Sequence, residues 1–184
     1  MRIFFIVPVL IFSLFSVFVT FTSAQESNLS VEPSSTPSAS VADSFDLFWP
    51  LSAGKTESDS FYSLKLLKEQ VRGWFILGDV RKADYEVLLG TKRVLEAEKL
   101  LKEGKTNLAL KTLGRADSEF TSAYSHIKKA DSKGELSTGE IRKDRLINVR
   151  RLIDYLKIVI PEEVRLKLDG VKESADKILR DYLP

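Results

Sequence analysis

The sequence predicts an all-α fold, a bundle of four to five helices built on a tight antiparallel helical hairpin. Apolar residues recur at steps of three and four along most of residues 58–184, which is the period of one helix face. The chain also has no cysteine, so disulfides and thiolate metal sites are excluded. Apolar packing between helices must therefore supply the stability.

The hairpin is predicted within residues 80–130, where two helices each carry one apolar seam. The seams consist of Val80, Ala83, Val87, Gly90, Val94, Ala97 and Leu101, and of Ala109, Leu113, Ala116, Phe120, Ala123, Ile127 and Ala130. Folding the chain back at Gly104 opposes a large residue to a small one in every layer, Gly90 to Phe120 among them. This matching predicts helix axes near the short end of the usual ~8–10 Å separation.

Residues 1–24 are predicted to be a signal peptide. Arg2 is the only charge before the apolar run 3–21, and Thr22-Ser23-Ala24 supplies small residues where signal peptidase cuts before Gln25. The run is also long enough, at ~20 residues, to span a bilayer, so an uncleaved amino-terminal anchor is the alternative. A lipoprotein anchor would require a cysteine. We expect an exported, extracytoplasmic protein, secreted or in the cell envelope.

Residues 25–57 are predicted to form a disordered Ser/Pro-rich spacer that contains a short apolar motif. The first part, to about residue 44, has no aromatic residue and no apolar period, so it cannot bury enough surface to offset its ordering entropy. Phe45, Phe48 and Trp49 then interrupt the polarity. They form either a docking motif for a partner or membrane interface, or a segment that folds back and caps the bundle.

The first helix of the domain, which we place at residues 58–184, is predicted to begin after a cap at Ser58 or Asp59 and to run to about Leu77. Gly78 would end it before Asp79 starts the next helix. A stripe typical of a face that packs on a core runs along it. The stripe consists of Leu64, Leu67, Val71, Trp74 and Phe75.

The remaining helices are predicted at about 79–103, 106–131, and on either side of Pro161. Lys133-Gly134 is a stop signal, and Ser137-Thr138-Gly139-Glu140 has the spacing of a capping box for the fourth helix. Pro161 suits the first turn of a fifth helix because it lacks an amide proton. One long kinked helix in place of the last two is the alternative.

No constellation of catalytic, cofactor-binding or metal-ligating residues is visible, so the chain is predicted not to be an enzyme and to need no cofactor. His126 is the only histidine, and it is predicted to be solvated on a helix surface. A single histidine cannot build a multi-histidine metal site. Asp84 and Glu86 stand among lysines, and a solvated charged face explains them.

One basic stripe is a candidate contact for anionic surfaces. Lys143, Arg150 and Lys157 are seven residues apart and align on one side of the fourth helix. Asp144 and Asp154 interrupt this positive charge, so a solvated face is the alternative. The formal net charge of the chain is only +2 and gives no support to nucleic acid as a partner.

Several short stretches resemble an uncharacterised bacterial family, domain-of-unknown-function family 5667, found in exported or membrane-anchored proteins. The stretches are Phe61-Tyr62-Ser63-Leu64-Lys65, Lys82-Ala83-Asp84-Tyr85, Arg93-Val94-Leu95-Glu96-Ala97 and Leu101-Lys102-Glu103-Gly104. The resemblance covers about residues 58–131. It implies an all-helical fold and brings no known catalytic residue.

Together these features predict a non-catalytic structural or interaction module of the bacterial cell envelope. Its partner would be another envelope protein or an anionic polymer or lipid. The alternative is an extracytoplasmic sensor or regulatory domain held by an uncleaved anchor. The identity of the partner, the oligomeric state and the biological process stay open at this stage.

Overall fold

The computed structural model describes residues 44–136 and 141–183, and these belong to one compact unit. They form six helices and no strand, which confirms the predicted all-α class. The helices are α1 (Ser44–Phe48), α2 (Tyr62–Trp74), α3 (Asp79–Lys102), α4 (Thr106–Ser132), α5 (Lys143–Val159) and α6 (Glu162–Tyr182). The predictions on residues 1–43 and on the Ser137–Glu140 capping box lie outside the described residues.

The α3–α4 hairpin is the centre of the fold, as predicted, and these two helices pack together more extensively than any other pair. Both predicted seams are buried except at Leu101, which is partly buried. A Cβ atom added to Gly90 would lie 2.8 Å from Cε1 of Phe120. This close approach confirms the predicted register, because only glycine leaves room for the Phe120 ring.

Gly90→Leu is expected to lower the free energy of unfolding by ~1–3 kcal/mol, because the new side chain collides with the Phe120 ring. This loss should outweigh the gain of ~1 kcal/mol in helix propensity. Gly170→Leu is the matched control, since no atom lies within 4 Å of a Cβ added on that exposed side of α6. Urea denaturation should therefore show opposite signs for the two variants, and stabilisation by both would contradict the packing.

Helices α5 and α6 complete the bundle as two separate helices, which settles the alternative of one kinked helix. Ile160 is extended between them (φ −111°, ψ 161°), and Pro161 precedes the first turn of α6. α6 packs against α4 and α5, and α5 also contacts α1 and α3. The apolar residues that recur at steps of three and four along both helices are buried in the common core, among them Leu146, Val149 and Ile153 of α5 and Leu168, Val171 and Ile178 of α6.

The folded part of the chain begins earlier than the predicted boundary at residue 58. Phe48 is only 5% exposed, and the side-chain amide of Asn148 donates a 2.6 Å hydrogen bond to the Leu47 carbonyl. The Glu57 carboxylate pairs with Arg115 at 2.7 Å. Residues 44–57 therefore pack on the bundle, because a buried aromatic ring and a partly buried ion pair compensate their ordering.

Helix α2 is shorter than predicted at both ends. Asp59 does not cap it; instead its carboxylate accepts a 2.6 Å hydrogen bond from the Thr56 backbone amide. The helix starts at Tyr62 and ends at Trp74. Gly78, with φ +91°, then allows the turn into α3 in a conformation that other residues rarely adopt.

Candidate functional site

Helix α2 presents its apolar side chains to solvent. We define the outer face of α2 as Leu64, Leu67, Val71, Trp74 and Phe75. Their exposed fractions run from 37% at Val71 to 79% at Phe75. The prediction that this stripe resembles a core-packing face is wrong, since the stripe points away from the bundle.

The opposite side of α2 meets α3 through a polar network that consists of Tyr62, Lys65, Glu69, Arg93 and Glu96. Glu96 accepts hydrogen bonds from the Tyr62 hydroxyl at 2.8 Å, from Lys65 Nζ at 2.5 Å and from Arg93 Nη1 at 2.8 Å. Arg93 Nη2 also donates to the Glu69 carboxylate. The network thus joins the two helices through contacts between their side chains.

The burial of two charges explains which side of α2 faces inward. Arg93 is 1% exposed and Glu96 is fully buried. Buried charges are tolerated only when they are paired and hydrogen-bonded. Burial disfavours the Arg93 charge, but the carboxylates of Glu96 and Glu69 outweigh this effect and raise the Arg93 pKa. The polar side of α2 supplies the required partners, and its apolar side is left outside.

A cavity of about 340 Å³ lies beneath α2, because long polar side chains hold this helix at a distance from α3 and α4. The Tyr85 hydroxyl donates a 2.9 Å hydrogen bond to the Glu69 carbonyl. The lining residues include Glu69, Gln70, Trp74, Tyr85, Glu86, Arg93, Glu119 and His126. Within the described ranges, no group of three or more His, Cys, Asp or Glu side chains is arranged to hold a metal ion.

Two carboxyl groups meet in this cavity. Burial, a hydrogen bond with Glu86 and the Glu86 charge raise the pKa of Glu119 to about 8. The Glu119–Glu86 pair therefore holds a proton at neutral pH, which lets one carboxyl donate a hydrogen bond to the other. Glu86, which the sequence analysis placed on a solvated face, is partly buried and lines this cavity. Asp84 also has a partner, the backbone amide of Arg142 at 3.1 Å.

The stability of the fold is expected to fall as pH rises from about 4.5 to about 8. In this window folded Glu119 keeps a proton that the unfolded chain releases near its ordinary pKa of 4.5, so the unfolded state binds fewer protons. Glu119→Gln should remove this part of the slope, because the amide does not titrate. Urea denaturation of both proteins across the window measures the difference, and equal slopes would contradict the raised pKa.

Comparison with known protein families identifies one family that matches the chain. A family model described as Domain of unknown function (DUF5667) matches residues 56–152, which is more than half of the 184 residues. The chain belongs to the DUF5667 family. Neither the curated proteins nor the solved structures gave a match.

The DUF5667 match extends farther than the sequence resemblance, which covered about residues 58–131. It contains α2, α3, α4 and most of α5, whereas α6 lies beyond it. The outer face of α2, the polar network and the lining of the cavity all fall inside the match. Among the residues that the structure describes, no helix is both long and apolar enough for a membrane span.

The predicted basic stripe lies on α5 of the DUF5667 protein, and two of its members have acidic partners on α6. Arg150 Nε is 2.6 Å from the Asp176 carboxylate, and Lys157 Nζ is 2.6 Å from the Asp169 carboxylate. Lys143 is exposed at the start of α5. These pairs link the two helices, and contact of the stripe with an anionic surface stays a prediction.

The candidate docking motif is divided between the core and the surface. Phe48 is buried, whereas Trp49 is 69% exposed. The Phe45 side chain lies outside what the structure describes. Phe48 is thus an anchor for the amino-terminal segment, as in the interpretation that the segment folds back and caps the bundle.

His126 is partly buried, in contrast to the solvated position that the sequence predicted. Its Nδ1 atom is 3.0 Å from the Asp79 carboxylate, which also pairs with Lys133 at 2.6 Å. A hydrogen bond from Lys133, and a smaller contribution from the hydrogen bond with His126, lower the pKa of Asp79 to about 2. His126 therefore ties α4 to the first turn of α3 at the edge of the cavity.

The polar network was not predicted from the sequence, although one signal could have revealed it. α3 has a second periodic face besides its seam, at steps of four, four, three and four residues. This face consists of Tyr85, Leu89, Arg93, Glu96 and Leu100, all of which are buried. Two charged residues on such a face indicate that a polar partner covers it.

Proposed function

We propose that this DUF5667 protein is a non-catalytic interaction module of the bacterial cell envelope that binds its partner through the outer face of α2. The observation that carries this proposal is the exposure of four large apolar side chains on one side of α2 and of Phe75 directly after it. Contiguous exposed apolar patches are typical of interaction sites. An uncovered apolar face of this kind lowers the solubility of a protein, and a bound partner would remove it from water.

The charged groups beneath α2 support a non-catalytic role. Lys65, Arg93 and Glu69 are engaged with one another or with Glu96. Their arrangement holds α2 on the bundle and displays its outer face. Charged groups that are used to hold a helix in place are suited to presenting a binding surface rather than to reacting with a substrate.

The envelope location is supported by the apolar run 3–21 and the small residues that follow it. Cleavage before Gln25 would release the chain, and an uncleaved run would make it a membrane-anchored sensor or regulatory domain. The intact mass of the protein isolated from the native envelope distinguishes a mature chain from one that retains Met1. The outer face serves binding in either case.

Photocrosslinking in cells tests the proposed function. A photoreactive residue in place of Leu67 sits on the outer face, and the same residue in place of exposed Lys129 on α4 is the matched control. We expect adducts at position 67 and few at position 129. Adducts at neither position, or equal adducts at both, would overturn the role of the outer face.

A further inference from the structure

Building on the proposed function, we propose that the partner of the outer face is an anionic lipid surface, on which α2 lies flat. A lipid surface of this kind offers two features, an apolar layer and negatively charged head groups. The solvent side of α2 matches both, whereas its other side is already occupied by the bundle.

The charges on the solvent side of α2 are all positive. Lys68 is exposed beside the outer face, and Arg72 lies farther round on the same edge, exposed but with its guanidinium 5.5 Å from the centre of the Tyr85 ring. Ser63 lies along the other edge, and Gln70, next to it, borders the cavity. The only acidic residue of the helix is Glu69, which is turned inward to Arg93. The inward pairing therefore leaves a basic edge next to the apolar stripe, which is complementary to anionic head groups.

Aromatic residues lie at both ends of the outer face. Phe61 precedes α2 and is 62% exposed, with Lys55 Nζ 4.7 Å from its ring centre. Trp74 and Phe75 are 69% and 79% exposed at the other end. Aromatic rings favour the boundary between head groups and acyl chains, and lysine stems reach from there to the phosphates.

The length of α2 argues against two other arrangements, a helix that spans the bilayer and a coiled coil with a second copy. Its 13 residues span ~20 Å, which is too short to cross a bilayer core of ~30 Å. They also amount to less than two heptads, whereas a coiled coil with a second copy needs at least ~3–4 heptads. A short amphipathic helix that lies in the plane of a membrane surface has no such requirement.

Tryptophan fluorescence tests this inference on the protein purified from cells that express the whole chain. Trp49→Phe leaves Trp74 as the only tryptophan, so the emission reports on the end of the outer face where Trp74 is 69% exposed and also borders the cavity. We expect a blue shift on addition of vesicles of equimolar phosphatidylglycerol and phosphatidylcholine. Vesicles of phosphatidylcholine alone should give a much smaller shift. The readout follows Trp74 whether or not the apolar run 3–21 is retained.

Two double variants in the same background separate the charged and apolar contributions. Lys68→Glu with Arg72→Glu should raise the lipid concentration for a half-maximal shift at least ~30-fold, since each basic residue near an anionic surface contributes about fivefold. Leu67→Ser with Val71→Ser should raise it at least ~10-fold. Lys128→Glu with Lys129→Glu on exposed positions of α4 changes the net charge equally and should have little effect.

Three outcomes would overturn the inference. Equal losses in the α2 and α4 charge variants would mean that attraction depends only on net charge. No blue shift would exclude lipid as the occupant. Self-association in analytical ultracentrifugation that Leu67→Ser abolishes would assign the outer face to a second copy. In the last two cases protein adducts at position 67 would still uphold the proposed function, because they require the outer face but not a membrane.

Discussion

Phe120→Ala is expected to lower the free energy of unfolding by ~3–5 kcal/mol. The Phe120 ring is fully buried and fills the space that Gly90 leaves open on the facing helix. Neither helix is able to close that space, because each is held by further layers of the same seam on both sides. Urea denaturation at neutral pH measures the loss.

Phe75→Ala is the matched control for this variant. It removes the same atoms from a ring that is 79% exposed, so the free energy of unfolding should change by within ~0.5 kcal/mol. Similar losses in the two variants would contradict the assignment of Phe120 to the core and Phe75 to the surface.

The hairpin was predictable because two independent sequence patterns agree on it. Each seam has the helical period, and the sizes along one seam complement those along the other. The turn at Gly104 then sets the register, and its φ of +72° is the backbone conformation that favours glycine. A close contact between Gly90 and Phe120 follows from size and spacing alone.

The orientation of α2 could not be predicted in the same way, because apolar period alone does not say which side of a helix is covered. Leu67 and Trp74 lie on a regular stripe, yet this stripe faces solvent. The deciding interactions connect Lys65 and Glu69 with charges that are 31 and 24 residues away on α3. Such pairings depend on how the elements meet in space, which a single sequence does not reveal.

The same reasoning explains the cavity. A helix packed by leucines would approach α3 closely, whereas a helix joined to it by lysine, glutamate and tyrosine side chains stands farther away. The volume beneath α2 is therefore a consequence of the polar network. Glu119 and Glu86 come from different helices and meet only in this cavity. The raised pKa of Glu119 therefore could not be predicted from the sequence either.

Glu96→Ala is expected to lower the free energy of unfolding by ~3–5 kcal/mol, although it removes no apolar contact. The variant leaves two positive charges, Arg93 and Lys65, beside the single remaining carboxylate of Glu69, and an uncompensated charge in a buried site is strongly destabilising. Lys65 and Tyr62 also lose their acceptor. Since these residues attach α2, amide hydrogen exchange should rise in α2 before it rises in the hairpin.

Glu98→Ala on the same helix is the control for Glu96→Ala. Its partner Lys102 is 63% exposed and is free to return to water, so the expected loss is within ~1 kcal/mol. A double-mutant cycle with Arg93→Met gives the sharper test. Removing both charges should cost less than the sum of the single losses by ~0.5–3 kcal/mol, because neither charge is then left without its partner. Additive losses would mean that Arg93 and Glu96 act independently, and the polar network would not explain why α2 turns its apolar side outward.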